Sequence, residues 1–203
     1  MLKNIGYAIL LGVGMAACLS ESESENTTAT TPQPEEMVAE ESIKPEPDPL
    51  EFILAKGRAG SIKIGRPVTE IRSNIPAGFT IKDTVLLQEG TEATAYVLRP
   101  ETESKGIVIE QTCEPDCKVW RIAVNSPAYK TAAGIGIGSK YGEVQARYPI
   151  SFVGLGEGIF VAVSEEAGFS FILDTAQLPK HRLHKLKPAD VPANTLVEGI
   201  LVY

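Results

Sequence analysis

Apolar residues along this chain follow two rhythms, helical spacing and strict alternation, and the two recur in the same order. Residues 60–77 read GSIKIGRPVTEIRSNIPA and residues 133–150 read AGIGIGSKYGEVQARYPI. Each stretch opens on Ile-x-Ile, a short strand with one apolar face, because successive side chains point to opposite sides. A glycine follows and allows a tight turn in a conformation that a side chain penalises. Val68, Ile71 and Ile75 then stand at i, i+3 and i+7, as do Tyr141, Val144 and Tyr148, so each stretch predicts a short helix with one apolar stripe. Ser139 is placed to cap the second helix, and Pro67 to take the first position of the first. Pro76 and Pro149 end both, since the residue before a proline is pushed out of the α region. Glu70 and Glu143 occupy matching places, where they either orient a helix start or lie solvated.

The stretches align without a gap, Ile62 on Ile135, Gly65 on Gly138, Glu70 on Glu143 and Pro76 on Pro149. A pattern repeated at a fixed offset predicts an internal duplication. Alternating segments follow each helix, at 79–87, 92–98, 106–112 and 117–125, then at 150–155, 159–164, 168–174 and 196–203. A helix followed by an antiparallel meander predicts an α+β fold. Two similar helix-plus-sheet units are expected, 53–126 and 127–203. Trp120 alternates with Ile122 and Val124 and is expected in the core, with a contact anchor as the other reading.

The glycines of 130–150 invite a nucleotide reading and do not support it. Gly134, Gly136 and Gly138 are spaced G-x-G-x-G, whereas the dinucleotide fingerprint is G-x-G-x-x-G inside a βαβ unit. The matching stretch upstream, SIKIG, lacks two of them. No cofactor is expected, and the glycines read as joints of the fold.

The N-terminus changes the picture of where this fold sits. Lys3 precedes an apolar run from Ile5 to Met15, the length of a signal-peptide core and too short to span a bilayer. Ala16 and Ala17 then stand directly before Cys18. This resembles the bacterial lipobox and implies a signal peptide at 1–17 with lipid attached to Cys18; an ordinary secretory signal with an incidental cysteine is the alternative. Leu19 in place of Asp implies, by the same resemblance, an outer-membrane anchor. Residues 18–52 are expected to form a disordered acidic tether. Between residues 20 and 51 stand nine glutamates and Asp48 against Lys44, with five prolines, and such a segment buries too little apolar surface to offset its ordering entropy. The Ser-Glu run after Cys18 also resembles the acidic export signals of surface lipoproteins in the Bacteroidetes, which leaves the periplasmic and cell-surface sides both open. From Phe52 onward 17 Lys and Arg face 16 Asp and Glu, so the acidity belongs to the tether.

Cys113-Glu-Pro-Asp-Cys117 lies between two expected strands, and Glu-Pro-Asp is turn chemistry. In an exported protein this predicts a Cys113–Cys117 disulfide. Zinc would need two further ligands, and His181 and His184 lie in another region; no metal site is expected. The run KHRLHKLK contributes Lys180, His181, Arg182, His184, Lys185 and Lys187. It reads either as a solvated face or as a contact for a partner or an anionic surface. Nucleic acid is not expected, because the domain is nearly neutral. No G-x-S-x-G elbow, H-E-x-x-H helix or Cys-His signature is present, so no catalytic residue is assigned.

Ile-x-Ile-Gly, a short helix bearing Glu and a following antiparallel sheet resemble the repeat unit of the SmpA/OmlA and β-lactamase-inhibitor-like proteins. Several of these are small envelope lipoproteins. The resemblance implies a membrane-anchored, non-enzymatic module that binds an envelope protein or helps assemble an envelope structure. The alternatives are a cell-envelope hydrolase and a small-ligand sensor.

Overall fold

A computed structural model describes residues 45–88 and 90–203. The expected signal peptide at 1–17, the expected lipid attachment at Cys18 and the expected tether as far as residue 44 lie outside the described residues. Twelve strands are described: β1 Ile53–Ala55, β2 Arg58–Ala59, β3 Ile62–Lys63, β4 Phe79–Gln88, β5 Thr91–Pro100, β6 Ile107–Cys113, β7 Cys117–Val124, β8 Lys130–Thr131, β9 Phe152–Gly156, β10 Ile159–Ser164, β11 Phe169–Leu173 and β12 Val197–Val202. Two helices, α1 Val68–Ser73 and α2 Tyr141–Arg147, and 3-10 segments at Pro49–Phe52, Lys180–Lys185 and Pro188–Asp190 complete the elements. None of the helices is long and apolar enough to cross a membrane, among the described residues.

The expected α+β arrangement of two helix-plus-sheet units is corrected. The chain is mostly β, and eight strands form one antiparallel sheet in the order β4-β5-β6-β7-β12-β11-β10-β9. The reason is the seam between β7 and β12, where Ile200 pairs with Val124, Leu201 with Ala123 and Val202 with Ile122. Edges that two separate sheets would leave unpaired are closed there against each other. Helices of six and seven residues are too short to form a layer of their own. A second sheet, β3-β2-β1-β8, also crosses the expected boundary at 126, since β1 pairs in parallel with β8 through Ile53 and Lys130.

One face of the large sheet is the core. Ile107, Ile109, Ile122, Val124, Phe171 and Ile200 are fully buried on it, and Leu54, Val68, Ile71, Tyr129, Tyr141 and Val144 join the same cluster. The apolar stripes of the two helices thus pack inward through their first two positions. Ile75 is 39% exposed, because α1 ends at Ser73. Tyr148 ends α2 and sets its ring against Phe169 and Phe171.

The corners differ from expectation in detail. Pro67 caps α1 from outside and is not its first residue, and Lys140, not Ser139, precedes α2. The Ser139 hydroxyl instead accepts from the Gly136 N–H at 3.1 Å. Glu143 does orient its helix start, accepting the Lys140 N–H at 2.8 Å, while Glu70 pairs with Arg66 on the surface. The N–H groups of Tyr141 and Gly142, which a helix start leaves unpaired, donate to the carbonyls of Thr195 and Ala193. The end of the expected tether is also ordered: Asp48 caps the turn Pro49–Phe52. Phe52 packs against Phe79 and Tyr129, and this ring burial is what the polar composition of 18–52 concealed.

Candidate functional site

The second face of the large sheet is where the structure departs from what water alone would select. An antiparallel sheet with one wet face alternates apolar and polar residues. Here the positions opposite the core are Val97, Val108, Ala123, Leu201, Ile172, Val163 and Ile159, all part-exposed, with Val161 among them at 7%. Gly154 on β9 has no side chain, and the ring of Phe152 covers it: a Cβ there would lie 2.3 Å from the ring. Phe152 is itself 52% exposed.

Trp120 belongs to this face, and the expectation of a core tryptophan is corrected. Register shifts between Glu110 and Gln111: Glu110 pairs with Arg121 and Gln111 with Val119, so Trp120 is the extra residue of a β-bulge. A bulge re-aims the side chains beyond it. Val119 therefore points inward at 1% exposure, and Trp120 is 40% exposed.

Beside the indole, Arg121 of β7 joins β6 and the turn between β9 and β10. Its Nε and Nη2 donate to the two carboxylate oxygens of Glu110 at 3.1 and 2.8 Å. Nη1 and Nη2 donate to Glu157 at 2.8 Å each, and the guanidinium carbon lies 4.6 Å from the Trp120 ring centre. Glu157 occupies the two-residue turn between β9 and β10 with φ of 51°, in the region that favours glycine or asparagine. Its link to β7 passes over β11 and β12, so the sheet is coiled enough to bring the β9–β10 turn back towards its centre. Burial by itself would depress the Arg121 guanidinium, but hydrogen bonds to Glu157 and Glu110 and their charges outweigh it and push its pKa up. The hydrogen bond from Arg121 holds the Glu157 carboxyl below its ordinary value, against a smaller opposing effect of burial.

Between Trp120, Arg121, Ile159, Val161, Leu201 and Tyr203 runs a shallow groove of about 210 Å³. Tyr203 is fixed in it by its backbone bond to the Gly168 carbonyl and by a 2.9 Å hydroxyl contact with Ser170. Sequence reasoning missed Arg121, Glu110, Glu157 and Tyr203, which come together only across strands. One signal was legible: 159–164 reads IFVAVS, apolar at consecutive positions, which marks a strand apolar on both faces.

Apart from Trp120, the residues singled out from the sequence lie away from this groove. Cys113 and Cys117 form a disulfide at the end of the β6–β7 hairpin, with Cα atoms 3.9 Å apart. Lys180, His181, Arg182, His184, Lys185 and Lys187 are exposed around the 3-10 segment Lys180–Lys185. The three glycines each serve the backbone. Gly134 and Gly138 turn with φ of 79° and 85°, and a Cβ on Gly136 would stand 2.6 Å from the Tyr129 carbonyl oxygen.

No protein-family model matches the chain, and no curated protein matches it. Among solved structures, it is similar in fold to the uncharacterized protein yfeY from Escherichia coli. The TM-score is 0.52 at 14% identity, over 73% of this chain and 97% of that one.

Proposed function

We propose that this protein is a lipid-anchored envelope module, non-enzymatic, whose open sheet face docks another protein. The observation that carries the reading is the apolar outward face of the sheet with Trp120 turned onto it by a bulge. Tryptophan, tyrosine and arginine are the residues that dominate binding energy at protein interfaces, and Trp120, Tyr203 and Arg121 stand together here. The small-ligand alternative fits this groove less well: it holds about 210 Å³, below the roughly 300–1,000 Å³ of small-molecule sites. A hydrolytic role is disfavoured at this face. Glu157 is stabilised in its ionised form, the wrong direction for a general acid at neutral pH, and Glu110 is clasped by Arg121. The lipobox-like Ala16-Ala17-Cys18 supports the anchor, and Leu19 after it supports the outer-membrane location.

Affinity capture from gently solubilised envelopes tests the reading. Wild type is expected to retain a partner that Leu201→Lys loses, while a substitution at an exposed position outside the groove lining, Lys63→Glu, retains it. Equal capture by wild type and Leu201→Lys would refute a docking face.

A further inference from the structure

The segment 180–187 carries four formal positive charges and two histidines in a domain that is otherwise close to neutral. All six of these side chains are exposed. Among the described residues, none of Lys180, Arg182, Lys185 and Lys187 is engaged in an ion pair. The Asp190 carboxylate accepts the backbone N–H of Lys187 at 2.8 Å.

The segment is also held in place. Leu183 is 7% exposed and belongs to the core cluster with Leu178 and Val191. Arg182 donates its N–H to the Pro179 carbonyl at 2.8 Å, and the next turn is gripped from α2, where the Tyr141 hydroxyl donates to the Pro188 carbonyl at 3.0 Å. The cations therefore project from a fixed turn. That turn packs against β9, whose Leu155, on the side of the strand opposite to Phe152, is 51% exposed. Cations beside an exposed aliphatic side chain are the chemistry of an interfacial membrane contact: the apolar group enters the headgroup boundary while the charges meet lipid phosphates.

We infer that residues 180–187, with Leu155 of β9, form a docking surface for anionic lipid headgroups. This is a second membrane contact, separate from the N-terminal anchor, and it fixes which side of the domain faces the bilayer. The inference does not depend on the protein-docking face.

Vesicle co-sedimentation tests it, using residues 19–203, which keep every described residue and carry no acyl chain. Binding is expected to phosphatidylcholine–phosphatidylglycerol vesicles and not to phosphatidylcholine alone, and added salt should weaken it. Each cation near an anionic surface strengthens binding about fivefold. The variant Lys180→Gln/Arg182→Gln/Lys185→Gln/Lys187→Gln is thus expected to bind at least about tenfold more weakly, with an unchanged melting temperature. Leu155→Ser should weaken binding at constant charge, and Leu201→Lys should leave it intact. Absence of binding to anionic vesicles, equal binding to neutral ones, or full binding by the four-charge variant would overturn the inference. Capture of an acidic peptide such as poly-glutamate without vesicle binding would overturn it too, in favour of a protein partner.

Discussion

Arg121 is gripped by two carboxylates and an indole on a face that otherwise carries few charges. The two arms of this contact differ in strength because their burial differs. Glu110 has a side chain 6% exposed and Glu157 one 52% exposed. Removing one partner of a buried pair strands the other in a poor solvent, which costs about 3 kcal/mol or more. Arg121→Met is therefore expected to lower unfolding stability by about that much, and Glu110→Leu in the same chain should restore part of it; chemical denaturation of wild type and the two variants checks this. Glu157→Gln is expected to cost under about 1 kcal/mol, as an exposed pair does. Its effect on pH dependence has a definite sign. The folded-state pKa of Glu157 lies below its ordinary value of 4.5, so its contribution is complete above 4.5 and is lost as the pH falls through the lower, folded value. Melting temperatures on acidification below pH 4.5 should drop more steeply in wild type than in Glu157→Gln.

Among elements, the glycine turns and the helices after them were legible in the sequence and the bulges were not. Of the two expected Ile-x-Ile strands only the first forms, as β3, while 135–137 carries a single isolated bridge from Gly136 to Lys130. Gly65 and Gly138 lie at matching places and turn with φ of 81° and 85°, because Ile-x-Ile followed by glycine fixes a local geometry. Gly138→Ala meets no atom within 4 Å and is expected to cost only the backbone conformation, about 1–2 kcal/mol. Gly136→Ala should cost more, since its Cβ would collide with the Tyr129 carbonyl; thermal melts rank the two. The Cys113–Cys117 bridge was also legible, because its five-residue loop is local. Replacing both cysteines by serine should remove about 2 kcal/mol in the chain-entropy model. Trp120 was misread for a nonlocal reason. Alternation within 117–124 assigns it to the core, and only the pairing with β6 reveals that β7 carries one residue more than its partner. The face of Tyr203 and Glu157 was hidden in the same way, since residues 36 apart meet only when the sheet coils.

For the whole molecule, the seam between β7 and β12 makes one sheet of strands that the sequence divides into two groups. Ile200 is fully buried there, and Ile200→Ala should cost about 2–5 kcal/mol while the single unfolding transition stays single. Two separable transitions would mean that the halves fold apart. The same seam sets Leu201 in the middle of the open face, between Ala123 and Ser170, so the element that closes the core also builds the surface assigned to a partner. Photo-crosslinking from that surface tests the assignment most directly. With a benzophenone side chain at position 120, cells are expected to yield one discrete crosslinked protein, absent when the same group stands at position 63 and lost when Leu201→Lys is added. A smear of unrelated products, or equal crosslinking from both positions, would contradict a docking role for this face.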